Sequence, residues 1–327
     1  VGAILVSGMH GLGDSLHQRA VLRQLMQSNE VWLESSWVAP YHDLISEGLH
    51  VVRKNTTLRT QAGNAHRERD RFEDRRMPIT YRTIDIWYKP AEVRAAGSVL
   101  GAMCRNTGTD IETADFRLTV PKEWQDRARE FIGYPAKPVM VYRPLVERME
   151  WSGCSTRNPD HNAYQALFES IRDRFHVVSV ADLVPGKEWT IGPLSDADQY
   201  FHGGQLEFES LAGLFSLASL VFCSPGFAVI LAQAVGTPVA TIFGGYERAY
   251  SFSAGARYSP YLGIEPNNPC DCFKHGCRCS KSIDVPAARE RLEAFASAAA
   301  QGCAIAAGRS ADRLAGLASH LHGQRRT

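Results

Sequence analysis

The stretch Ala3-Ile4-Leu5-Val6-Ser7-Gly8-Met9-His10-Gly11-Leu12-Gly13-Asp14 decides the fold class. Ala3 to Ser7 is a short apolar run, the signature of a buried strand. Gly8 to Gly13 is a glycine-rich turn. After Asp14, the residues Val21, Leu22, Leu25 and Met26 form one apolar stripe at helical spacing. Strand, glycine turn and helix in that order are the first step of an α/β alternation. Glycines at Gly11 and Gly13 let backbone come close to a ligand. The plainer alternative is a tight turn with Asp14 as the helix cap. A dinucleotide fingerprint is excluded, because its third glycine would fall at position 16, where Leu16 stands.

Outward from this turn the alternation continues. Val31–Leu33, Leu49–Val52 and Ile84–Tyr88 read as strands, and Ala91–Cys104 as a helix, which predicts a parallel sheet covered by helices. Residues 53–82 break the pattern with nine Lys or Arg against four Asp or Glu, and read as a basic, partly irregular insertion. Pro121, Pro135 and Pro138 punctuate a linker around a short amphipathic helix, Trp124 to Ile132. Beyond it the alternation resumes. Strands are expected at Val139–Tyr142, His176–Val180, Leu220–Phe222 and Val239–Phe243. Helices are expected at His161–Asp173, Phe208–Ala218 and Phe227–Val235, with an alanine-rich helical tail from Pro286 that breaks near Gly308. The division expected is a Rossmann-like domain at 1–120, a linker at 121–137, a second Rossmann-like domain at 138–285 and a helical tail at 286–327. Ligands of such sheets sit at the carboxyl ends of the strands.

The length of 327 residues suits two domains, and 44% apolar residues suffice for two cores. A net charge of +1 gives no global attraction to nucleic acid or acidic membrane. The apolar start is too short for a signal peptide, and no run approaches the ~20 residues of a membrane span. A soluble, cytoplasmic protein is expected.

Candidate binding residues cluster in the second half. Ser224-Pro225-Gly226-Phe227 lies between a strand and a helix, with Ser224 suited to the cap and Pro225 to the first helical position. The unpaired N–H groups of such a helix start suit a diphosphate. Arg157 precedes another helix, where Asn158 and Pro159 read as cap and first turn, and Arg143 follows the strand Val139–Tyr142; either guanidinium can grip a phosphate in bidentate fashion. Gly244, Gly245, Tyr246 and Glu247 follow the strand Val239–Phe243 toward the same cleft, with Tyr246 placed to stack on a base or ribose and Glu247 to accept hydroxyl bonds. Cys270, Cys272, Cys277 and Cys279 form two Cys-x-Cys pairs, readable as a structural zinc site, as disulfides or as reduced thiols. Asp196-Ala197-Asp198 has the form of a metal-binding acid pair, but no apolar strand leads into it, so it reads as a loop.

Gly11-Leu12-Gly13-Asp14, followed by Leu16 and Val21-Leu22-Arg23, resembles the Gly-x-Gly-Asp opening of the heptosyltransferase-like glycosyltransferases. Leu211-Ala212-Gly213-Leu214 with Ala218-Ser219-Leu220, then Gly236-Thr237-Pro238 and Phe243-Gly244-Gly245, is similar to that family's nucleotide-sugar half. The resemblance implies a GT-B fold, two Rossmann-like domains facing each other across a cleft. It also implies inverting transfer of a sugar from a nucleoside-diphosphate sugar to an acceptor hydroxyl, with no catalytic metal. Asp14 would be the catalytic base, and a basic residue such as Arg157 would hold the donor diphosphate. The chain departs from the family where Asp-Ser-Gly-Pro is usual: Pro225-Gly226-Phe227-Ala228 stands there, and Ile230 replaces a histidine. Contact with the diphosphate is then left to the backbone. The basic insertion reads either as a solvated face with internal ion pairs or as the site of an anionic acceptor, such as the glycan of a phosphorylated lipopolysaccharide core. The basic insertion, with Phe72, Tyr81, Trp87 and Tyr88 in and after it, admits a second acceptor, hydroxymethylated DNA bases. The loss of the family's aspartate at Pro225 admits a third expectation, a sugar-nucleotide-binding or scaffold protein without turnover.

Overall fold

A computed structural model of the chain describes residues 2–79, 81–149, 157–270 and 280–302. Two parallel sheets organise it. In the first half β1 (Gly2–Ser7) leads through the glycine turn into α1 (Leu12–Met26), then β2 (Asn29–Ser35), α2 (His42–Ser46), β3 (His50–Arg53), α3 (Arg59–Arg67), β4 (Arg82–Asp85), α4 (Pro90–Ala96) and α5 (Val99–Thr107). The sheet order is β3-β2-β1-β4, with Ser7 of β1 in register with Glu34 of β2 and Asp85 of β4. The helix α6 (Lys122–Ile132) follows.

The second half runs β5 (Val139–Tyr142), β6 (Val146–Arg148), α7 (His161–Arg172), β7 (His176–Val180), β8 (Glu188–Thr190), β9 (Gln199–Phe201), α8 (Phe208–Leu217), β10 (Leu220–Cys223), α9 (Phe227–Val235), β11 (Val239–Ile242) and β12 (Tyr261–Ile264). Its six-stranded sheet has the order β12-β11-β10-β5-β7-β9, while β6 and β8 pair antiparallel beside it. A further helix over 285–302 packs Ala288, Leu292 and Ala296 into the second core. No helix among the described residues is long and apolar enough to cross a membrane.

Strand direction reverses its winding between β1 and β4 in one sheet and between β5 and β10 in the other. These are the switch points at which the loops diverge and leave a crevice. The turn Gly8–Gly11 and the segment Ile86–Tyr88 leave the first; Arg143 and the turn Ser224–Gly226 leave the second.

The two halves meet along α1 and α9. A β-carbon at Gly13 would lie 3.1 Å from the Phe227 Cα and 3.0 Å from the Ile230 side chain, so a side chain here would press on the second half and glycine suits this approach of two helix openings. Consequently α1 is buried on every side, not only along its apolar stripe: Ser15, His17, Gln18 and Arg19 have almost no exposure. Arg19 is accommodated because Asp43 receives it through two bonds of 2.8 and 2.6 Å and the carbonyl oxygens of Phe116, Pro40 and Arg117 accept the rest. A buried guanidinium is tolerable only with such complete pairing.

Several local expectations are corrected. The single helix expected over Ala91–Cys104 is two, because Gly97 takes φ +75° and Ser98 then caps α5 by accepting from the Gly101 N–H at 2.9 Å. The insertion is partly irregular as expected, with α3 running inside it. Asp14 is not the cap of α1; Gly11 is, and Asp14 sits in the first turn. Ser224 and Pro225 do not open α9, whose cap is Gly226 at φ +148°, a conformation in which a side chain would be strained. Asp160, not Asn158, caps α7 by accepting from the Ala163 N–H at 2.9 Å.

Candidate functional site

Asp14 lies in the first turn of α1, half-buried where that helix meets the second half. The Tyr88 hydroxyl donates to its Oδ1 at 2.7 Å. Tyr88 reaches it because β4 ends at Asp85 and the chain then runs past the carboxyl end of β1. From the second half, Arg157 and Glu247 face the same carboxyl group electrostatically. They pair with each other at 3.4 Å, Nε to Oε2.

Burial raises the Asp14 pKa to about 6. The Tyr88 hydrogen bond and the Arg157 charge oppose that rise, and the Glu247 charge adds to it. Burial and the neighbouring Asp14 push the Tyr88 hydroxyl far above its ordinary value, so it remains a donor. A carboxylate that ionises near neutrality matches the requirement for a general base. In pH–rate profiles of a reaction using this base, activity rises with pH and half-saturates near 6. Tyr88→Phe is expected to move that midpoint upward and Glu247→Gln to move it downward. Unmoved midpoints in both variants would exclude Asp14 as the titrating group.

Arg143 leaves the end of β5 with its guanidinium over the Phe227 ring, 4.7 Å from the centroid. It is held from behind by the buried Glu188, which also receives Arg148 at 2.8 Å and Arg59 at 2.9 Å, with Arg143 itself at 3.9 Å. Arg59 is an insertion residue of α3, and it also bonds Asp182 at 3.1 Å. The basic insertion thus reaches the second half, where Arg71 likewise pairs with Glu209 of α8 at 2.5 Å, while Arg75 pairs with Glu73 inside the insertion at 2.8 Å. Three of its nine basic residues are thereby matched by carboxylates within the chain.

The structure therefore brings together Gly11, Gly13, Asp14, Arg157, Glu247, Gly226, Phe227 and Arg143 at the seam between the two sheets. Ser224 is half-buried in the turn before Gly226. Gly244 and Gly245 are buried after β11, and Gly245, at φ +110°, lies against the Cys270 backbone, whose nitrogen would be 3.1 Å from a β-carbon placed at Gly245. Tyr246 is half-buried between them and Glu247. Of the four cysteines read as a metal site, Cys272, Cys277 and Cys279 lie outside the described residues. Among the described residues no cluster of His, Cys, Asp and Glu is arranged to hold a metal ion. Asp198 is a loop residue whose carboxylate accepts from the Val177 N–H at 2.7 Å.

Two roles escaped the sequence. Tyr88 was visible only as an aromatic near the cleft, with nothing local to pair it with a residue 74 positions earlier. Glu188 sits in a three-residue strand without periodicity, and its three arginines come from distant segments.

No protein-family model matches the chain, and no curated protein matches it. Among solved structures it is similar to the iron-containing dodecameric glycosyltransferase TibC of enterotoxigenic E. coli H10407, with 14% identity over 93% of this chain and 76% of that one and a TM-score of 0.55. The same protein, described as a heptosyltransferase in complex with ADP-D-beta-D-heptose, aligns with the same identity and coverage at a TM-score of 0.54. A glycosyl transferase family 9 protein of Veillonella parvula DSM 2008 is 12% identical over 80% of this chain and 86% of that one, with a TM-score of 0.50. At these identities the likeness is one of fold. The chain has the GT-B glycosyltransferase fold, an α/β arrangement of two Rossmann-like halves, as its glycine turn and its second-half motifs led one to expect.

Proposed function

We propose that the protein is an inverting glycosyltransferase that moves a sugar from a nucleoside-diphosphate sugar to an acceptor hydroxyl without a catalytic metal. One observation carries this: a half-buried carboxylate, Asp14, stands at the seam of two facing switch points, oriented by Tyr88 from its own half and opposed by Arg157 and Glu247 from the other. In the reaction Asp14 takes the proton of the acceptor hydroxyl. The acceptor oxygen bonds to the anomeric carbon as that carbon's bond to the diphosphate oxygen breaks, and the nucleoside diphosphate leaves with the bonding pair. Arg143 and Arg157, with the opening turn of α9 at Gly226 and Phe227, stabilise the charge that develops on the leaving group. The expected division, donor on the residues from 138 and acceptor on those up to 120, follows from which switch point supplies cations and which supplies the base.

The ion pairs of Arg59, Arg71 and Arg75 count against these three arginines as DNA contacts. The TibC complex with ADP-D-beta-D-heptose favours a nucleotide-sugar donor here by analogy of fold. The test is thermal stability with a panel of nucleoside diphosphates. A ligand at 100 times its Kd adds about 2.7 kcal/mol to the folded state. A selective shift that Arg143→Ala and Arg157→Ala both weaken is expected. No shift with any nucleotide would defeat the donor assignment.

A further inference from the structure

Beside Asp14 the first half carries a group of side chains that neither base nor diphosphate uses. Trp87, one residue before Tyr88, is 46% exposed, far more than the other tryptophans packed into the first half. Its backbone N–H is fixed by Asp85 Oδ1 at 3.1 Å, and its carbonyl oxygen accepts from Asn106 at 2.7 Å. The His10 ring stands edge-on to it, 5.7 Å between centroids and 73° between planes. Lys54 holds its ammonium 5.8 Å from the indole centroid, anchored on the Gly8 carbonyl oxygen at 2.6 Å and the Ser7 hydroxyl at 3.3 Å. Trp37 donates to the His10 carbonyl oxygen at 3.1 Å, which fixes the turn that carries the imidazole. The His10 Nδ1 is buried and has no hydrogen-bond partner among the described residues.

We propose that Trp87, His10 and Lys54 form the acceptor subsite, and that its ligand is a neutral, hydroxyl-rich pyranose ring. This rests on the assignment of Asp14 as the base that receives the acceptor proton. An exposed indole held by its backbone on both sides is a rigid platform for the apolar C–H face of a sugar. Polar groups at its edge, the ammonium and the imidazole, suit hydroxyl groups that both donate and accept. Burial and the Lys54 charge lower the His10 pKa, so the imidazole is neutral at pH 7 and offers one donor and one acceptor. The charges of Glu34 and Asp85 face Lys54 and balance it, so the subsite does not call for an anionic substituent. The chain ties the platform to the base: Trp87 is followed directly by Tyr88, whose hydroxyl donates to Asp14, and His10 belongs to the glycine turn that leads into α1.

The experiment is a saturation-transfer NMR and tryptophan-fluorescence titration of the full chain with a panel of neutral methyl pyranosides, in the presence of the nucleoside diphosphate that shifts its melting point most. At least one pyranoside is expected to bind, with Trp87→Ala weakening it by tenfold or more and Trp87→Phe by less. The melting-point shift by the diphosphate alone is expected to be the same in all three proteins, which separates this subsite from the donor assignment and verifies folding. Absence of pyranoside binding by the wild type, or equal binding by Trp87→Ala, overturns the proposal. Preferential binding of a nucleoside or short oligonucleotide at Trp87 overturns it as well and gives the platform to a nucleobase.

Discussion

Replacing Asp14 by Asn is expected to lower sugar transfer on the order of 10³-fold, the usual contribution of a positioned general base, while leaving the nucleoside-diphosphate melting-point shift intact. The amide keeps the size of the carboxyl group and can still accept from Tyr88, so the seam between α1 and α9 stays packed. Stability should move the other way from activity. The folded-state pKa of about 6 lies above the ordinary carboxylate value, so the folded chain binds a proton more readily than the unfolded one. The ionised group is therefore a burden on the fold as pH rises through 6, and Asp14→Asn is expected to melt at or above the wild-type temperature at pH 7.5. At pH 4, where the wild-type group is protonated, that advantage should vanish. A variant that loses transfer and melting temperature together would place Asp14 in structure and leave the base unassigned.

Glu188→Gln is expected to have the largest effect on stability. Glu188 is 1% exposed and faces three guanidinium groups, those of Arg59, Arg143 and Arg148. Removing the one buried anion among them leaves like charges facing each other across an amide. Breaking a buried pair costs about 3 to 5 kcal/mol, and the lower figure applies because the arginines keep some contact with water. Chemical denaturation of the two proteins at neutral pH reads this directly. The diphosphate should still bind, because Arg143 keeps its charge, but with altered affinity since the group that orients it is gone. Unchanged stability would mean that solvent already screens the cluster.

Much of the fold was legible because β1, β5, β7, β10 and β11 are short apolar runs flanked by turn residues, and buried parallel strands need no more than that. The strand β9, Gln199–Phe201, is only three residues long and opens on a polar residue, and β12, Tyr261–Ile264, is a four-residue run broken by Gly263, so neither stands out; both lie at an edge of the sheet. Each is paired on one side only, which lets β9 carry the polar Gln199. Asp14 stood out through its glycines, and Arg143 and Arg157 through their position after a strand and before a helix. Tyr88 did not, because its role depends on where a chain segment 74 residues away passes. The insertion misled for a related reason: composition counts its arginines but cannot see Glu188 and Glu209 waiting on the other side. Caps were misjudged where a glycine without a side-chain bond stands at the cap in place of Asp14 and Ser224, Gly11 in extended backbone and Gly226 at φ +148°.

The helix α1 is enclosed from all directions, with Arg19 tied to Asp43 and to three carbonyl oxygens and Gly13 set against Phe227. Such a chain is poorly modular. A chimera that took the first half from this protein and the second from another GT-B enzyme would have to import a helix shaped to Gly13, and recombination elsewhere in the surface loops would be tolerated far more readily than at this seam. New donor or acceptor preferences are then reached more easily by exchanging loops around a retained pair of helices than by shuffling whole halves.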